Sequence, residues 1–239
     1  MRIRIGRGTA VALAVPALLL TSACGGGDDD KGAAKPDKSA DQQAQPEAAA
    51  AKTLTAEQMK AATLTVADLP SGWKESTEPT ESTVAKADKP ECQRIASFME
   101  DKIAGATMGG SADFEGNGGN DLLSEQVFTF EKGAEDHLKG FDGVLSACTS
   151  FTVESDGMKI PVKVQKLSVP AAGEESYTFH MSMDLPEIQM KLETDVAVIR
   201  QGAALARMAY VPGKADASGK AFEDLVKRAG DKLVKGAQG

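Results

Sequence analysis

Residues Ser176 to Leu185, SYTFHMSMDL, alternate apolar and polar side chains without a break. Tyr177, Phe179, Met181, Met183 and Leu185 make one set; Ser176, Thr178, His180, Ser182 and Asp184 make the other. Only a strand can bury the first set and expose the second, because successive strand side chains point to opposite faces of a sheet. The segment IQMKLETDVAV repeats the pattern through Ile188, Met190, Leu192, Val196 and Val198, and Pro186-Glu187 between the two reads as a hairpin turn. Half-buried strands of this kind predict an antiparallel sheet with one covered face. Val127–Phe130, Met158–Val164 and Ala204–Val211 supply further strands.

Helical periods surround these strands. Thr55 can cap a first helix, with Gln58 at the capping-box position and Leu54 facing Met59 as a staple; the turn residues of VADLPSGW (Val66–Trp73) close it. A second helix starts near Asp88 and Pro90 and places Cys92, Ile95, Ala96, Met99 and Ile103 on one face. A third runs from about Gly133 to Cys148, with Leu138, Phe141, Leu145 and Cys148 on its stripe. A last helix, Ser218 to Lys235, aligns Phe222, Leu225, Val226, Ala229 and Leu233. Helices first, a meander, then a helix: the expected class is α+β, a mostly antiparallel sheet with helices packed on one face.

The first residues carry an address. Arg2, Arg4 and Arg7 precede an apolar run from Ala10 to Leu20, far shorter than the roughly 20 residues that span a bilayer. Thr21, Ser22 and Ala23 then lead to Cys24, so residues 1–23 read as a signal peptide that ends at a bacterial lipobox. Acyl chains such as palmitate on Cys24 would anchor the chain, since two chains hold a protein to a membrane and one does so only marginally. Residues 24–52 are Gly, Asp, Ala, Lys, Gln and Pro with no apolar period, which reads as a disordered linker spanning about 30 Å. Residues 53–239 are the folded domain, outside the cell membrane. A formal charge of -8 argues against nucleic acid, which requires a basic face. Of 3 cysteines, lipidation of Cys24 leaves Cys92 and Cys148, the arithmetic of one disulfide in an oxidising compartment.

Four stretches carry a resemblance: LTVADLPSGW, PECQRIASFM, LSACTSF and VAVIRQGAALARMAYV. Together they resemble the PknH-type extracellular sensor domain and the actinobacterial lipoproteins similar to it, over most of Leu64 to Val234. The resemblance implies a disulfide between two helices at Cys92 and Cys148 and a fold with a ligand-binding cleft outside the membrane. The kinase sensor's second disulfide, its kinase domain and its transmembrane helix have no counterpart here.

The chemistry-bearing residues are few. His137 and His180 are the only histidines, and both read as surface or capping residues; no nucleophile motif and no H-E-x-x-H or C-x-x-C occurs, so no enzyme and no cofactor is expected. Asp113, Glu115, Asn117, Gly118 and Asp121 fall at calcium-loop positions, but Ser124 stands where the closing glutamate belongs, and a glycine-rich loop is the preferred reading. Tyr177, Phe179, Met181, Met183, Met190 and Leu192 share one sheet face. That face is either core or an adaptable apolar pocket, because thioethers repack around varied shapes. Two functions follow: a membrane-tethered binding module for a small apolar or cell-envelope ligand, or a pocketless protein that docks on an envelope complex.

Overall fold

The computed structural model describes residues 52–77, 84–155, 157–185, 189–213 and 218–238. The leader, Cys24, most of the linker and the Pro186-Glu187 turn lie outside the described residues. Helix α1 (Ala56–Ala62) starts as the sequence predicts: the Thr55 hydroxyl accepts the Gln58 N–H, and the Gln58 side chain accepts the Thr55 N–H. Leu54 and Met59 are buried in the same cluster. After a 3-10 turn at Val66–Asp68 come the short strands β1 (Lys74–Glu75) and β2 (Lys86–Ala87). Helix α2 (Gln93–Ala96) lies between 3-10 turns at Pro90–Cys92 and Ser97–Met99. Strands β3 (Ala106–Gly116) and β4 (Asp121–Phe130) form a hairpin. Then follow α3 (Glu135–Leu138), α4 (Phe141–Ala147) and a meander, β5 (Ser150–Ser155), β6 (Met158–Lys166), β7 (Glu175–Leu185), β8 (Met190–Gln201) and β9 (Ala204–Val211). Helix α5 (Ser218–Gln238) closes the chain.

The α+β class with an antiparallel sheet and one disulfide is as expected. One nine-stranded sheet runs in the order β1-β3-β4-β9-β8-β7-β6-β5-β2, with every pairing antiparallel. Its two faces carry separate cores, which alternate residue by residue along β8: Val196 and Val198 belong to one, Ala197 and Ile199 to the other. The segments around α2, α3 and α4 cover the first face. The final helix does not join them; α5 lies with α1 over the opposite face, burying the predicted Phe222, Leu225, Val226, Ala229 and Leu233.

Two helix predictions need correction. The second helix does not continue to Ile103, because Glu100 turns extended (φ -102°, ψ 148°) after Met99. The third divides at Gly140, whose φ of 72° is a left-handed value that glycine adopts without steric cost. The predicted stripe nonetheless holds, with Leu138, Phe141, Leu145 and Cys148 all buried. Cys92 and Cys148 are joined, their Cα atoms 5.6 Å apart, and both are fully buried.

Strands β3 and β5 were not expected. In β3 the glycines interrupt any alternation, for a packing reason: α1 lies against its backbone. A Cβ on Gly110 would overlap the Thr63 hydroxyl and come within 2.8 Å of the Met59 carbonyl oxygen. Gly110→Ala is therefore expected to lower stability by about 2 kcal/mol, the usual cost of forcing extra volume into a packed contact. Urea denaturation of the variant beside wild type measures it; equal midpoints would show that α1 yields freely.

Candidate functional site

The apolar face of β7 and β8 is largely core. Phe179, Met181 and Met183 are buried at 0%, 4% and 6% exposure, in one cluster with the disulfide, Ile95, Phe141 and Leu145. Phe141 meets both Tyr177 and Phe179, with ring centroids 5.2 and 6.2 Å apart. Tyr177 and Leu192 are half-buried and pack against this cluster. Met190 does not meet Met181 and Met183. It pairs with Leu185 at the end of the sheet and is 49% exposed. A two-residue turn at Pro186-Glu187 would have set Leu185 opposite Ile188; the actual register places Leu185 opposite Met190 and Met183 opposite Leu192. The shift of two residues keeps the face and moves Met190 to the rim.

On the opposite face, past the cover of α5, the same register builds a polar cluster. His180 stands opposite Asp195 and Ser182 opposite Glu193, while β6 sets Gln165 beside His180 and Lys163 beside Ser182. The His180 ring lies between two carboxylates: Nδ1 is 2.7 Å from Asp195 Oδ1 and Nε2 is 2.5 Å from Glu193 Oε2. Burial, the largest single influence, favours the neutral imidazole. The hydrogen bonds and charges of Asp195 and Glu193 outweigh it, so the His180 pKa is raised above its ordinary value. Lys191 pairs with the other oxygen of Glu193. Burial alone would raise the Glu193 pKa, but Lys191 and His180 bring it below the usual carboxylate value. The sequence reading of His180 as a surface histidine missed these partners, which lie on the neighbouring strand.

Lys163, Val164, Gln165, His180, Ser182, Lys191 and Glu193 line an open groove of about 420 Å³. Ser182 is 7% exposed, and its buried hydroxyl has no hydrogen-bond partner among the described residues. Such a group costs about 1–3 kcal/mol unless something bonds to it. A second groove, about 440 Å³, lies along Asp195, Leu167 to Val169 and the start of α5 at Gly219, Lys220, Phe222 and Glu223. The histidine, serine and acids do not form a nucleophilic relay as they stand. Both ring nitrogens of His180 are engaged by carboxylates, and the Ser182 hydroxyl bonds to neither.

The remaining candidates take structural places. The calcium-like stretch is the β3–β4 hairpin: Asp113 pairs with Ser124 across it, Glu115 forms an ion pair with Lys74, and Asp121 accepts the Gly213 N–H. No group of three ligating side chains suited to a metal occurs among the described residues. His137 rests 5.3 Å from the Phe130 ring, and burial, aided by Arg94 and Arg207, lowers its pKa. Trp73 packs against Tyr210 and the Gly116 backbone, as a plug.

No protein-family model and no curated protein matches this chain. Among solved structures, a putative uncharacterized protein from Mycobacterium smegmatis (Rv0999 ortholog) aligns at 11% identity, covering 80% of this chain and 97% of that one, with a TM-score of 0.38. The extracellular domain of PknH from Mycobacterium tuberculosis aligns at 13% identity and a TM-score of 0.56, covering 78% of this chain and 98% of that domain. The fold of most of the chain is thus similar to that of almost the whole PknH extracellular domain.

Proposed function

We propose that the chain is a non-enzymatic, extracytoplasmic binding module, anchored by lipid on Cys24, that holds a small ligand in the groove beside His180. One observation carries the binding reading: the Ser182 hydroxyl is buried without a partner among the described residues, beside an open groove that it lines together with Lys163 and Gln165. The likeness to an extracellular domain supports placement outside the membrane, and the leader ending at Cys24 supports the anchor. The apolar face leaves little room for an apolar ligand. Phe179, Met181 and Met183 are already packed against side chains, which leaves half-buried Tyr177 and Leu192 and the rim residue Met190.

Native mass spectrometry of the full chain, purified in mild detergent, tests the reading. The expected result is a polar small molecule that leaves on activation. A copurified long-chain lipid would instead favour the apolar face, and a bare protein that binds no small molecule would favour the docking protein. Cys24→Ala is expected to move the chain from the membrane fraction to the soluble fraction; unchanged retention refutes lipid anchoring at that residue.

A further inference from the structure

The groove beside His180 differs from the rest of the molecule in which of its polar groups are already satisfied. Its acids are taken: Glu193 by His180 and Lys191, Asp195 by His180. Its donors are not. Lys163 on β6 and Gln165 two residues on are exposed and make no ion pair or hydrogen bond among the described residues, and the Ser182 hydroxyl below them is unpartnered. What the groove lacks is therefore an acceptor carrying negative charge. The chain as a whole is acidic, with a formal charge of -8, so a site that offers a spare ammonium, an amide and a hydroxyl together goes against the general field.

We propose that this groove binds a small oxyanion-bearing molecule, a carboxylate or a phosphate, with its oxygens received by Lys163, Gln165 and Ser182. The inference rests on the binding reading above and narrows it to one ligand chemistry. Lys163 supplies the charge, and hydrogen bonds to an ionised acceptor are the stronger kind. The cross-strand pair Lys163 and Ser182 places ammonium and hydroxyl side by side on the face, with Gln165 one step along the same strand. His180 stands behind them as the next positive charge. It is faced by Asp195 and Glu193 on β8, by Lys163 and Gln165 on β6, and by Lys191 at the rim; Lys220 and Glu223 of α5 border Asp195. While its imidazolium persists, the groove lining carries three cationic side chains against Glu193. Loss of that proton weakens the attraction for an anion, so affinity falls as pH rises.

The test uses the full chain in detergent, labelled with ¹⁵N at histidine; the two histidines give two resolvable sets of ring signals. Succinate is one probe and inorganic phosphate the other, each titrated against sodium chloride of matched ionic strength. The expected result is a saturable change at His180 with one probe or both and none at His137, with the tighter probe marking the source of the oxyanion. Lys163→Ala should weaken that binding at least tenfold with an unchanged melting temperature, and affinity for succinate, whose own charge is nearly constant over this range, should be threefold or more higher at pH 6.5 than at pH 8.5. Absence of a saturable response to both probes, or a Lys163→Ala variant with full affinity, overturns the inference. The outcomes also separate it from the broader reading. A neutral molecule copurifying in the groove would sink the oxyanion proposal and leave the binding module standing, whereas a bare and unresponsive protein sinks both.

Discussion

The double variant Cys92→Ala, Cys148→Ala is expected to lose about 4 kcal/mol of folding stability and to melt roughly 10 °C lower than wild type. The bond joins residues 56 apart in sequence, and in the chain-entropy description a link of that span removes this much disorder from the unfolded chain. Local packing adds to the loss. Both sulfurs are fully buried among Ile95, Phe141, Leu145 and Phe151, under short helical pieces that hold few backbone hydrogen bonds of their own. Helices of four to seven residues do not persist by themselves, so the link and the packed face keep them in place. Urea denaturation without reductant measures the difference, and wild type with reductant should approach the variant. A double variant within 1 kcal/mol of wild type would contradict this account.

Stability should also depend on pH through one buried acid. Glu125 on β4 is fully buried; one oxygen accepts the Leu64 N–H at 2.6 Å and the other has no partner among the described residues. Burial pushes its pKa up to about 7, against the lowering effects of the Leu64 hydrogen bond and of Lys232. A carboxyl with a raised folded-state pKa favours the folded state fully below its unfolded value of 4.5 and loses that contribution as pH rises through 7. The change is about 3 kcal/mol, from 1.36 kcal/mol per pKa unit. Glu125→Gln keeps an acceptor for Leu64 and removes the titration. The gap in unfolding free energy between variant and wild type should therefore move in favour of the variant by about 3 kcal/mol between pH 4.5 and pH 8.5. Paired urea curves across that range check it, and a constant gap would mean that Glu125 titrates normally.

Where local chemistry alone decides a structure, the sequence was enough. The Thr55–Gln58 cap, the alternation of β7 and β8, the span of β9 and the buried stripe of α5 were all legible, because each depends on neighbours within a turn or two. Strand β3 was not, since Gly109 and Gly110 are present for α1, which approaches from another part of the chain. The site failed to show for a related reason. His180 was placed on the polar face correctly, but its partners Asp195 and Glu193 come from β8, and only the register identifies them. That register, Leu185 opposite Met190, lies two residues from the one a Pro186-Glu187 turn predicts. The same shift accounts for Met190 at the rim.

The strand order has a consequence for how the molecule is made. Strands β5 to β9 pair each with the next in sequence and can zip up locally, whereas the β3–β4 hairpin reaches the sheet only through β9, where Thr129 meets Ala204 and Leu122 meets Val211. A chain that emerges amino end first must therefore hold that hairpin, with Phe128 and Val127 uncovered, until its last strand arrives. Cys92 and Cys148 both precede β9, one on each side of the hairpin. Oxidation between them can close early, gathering the waiting hairpin against α2 and α4 and shortening the search that joins the two halves of the sheet.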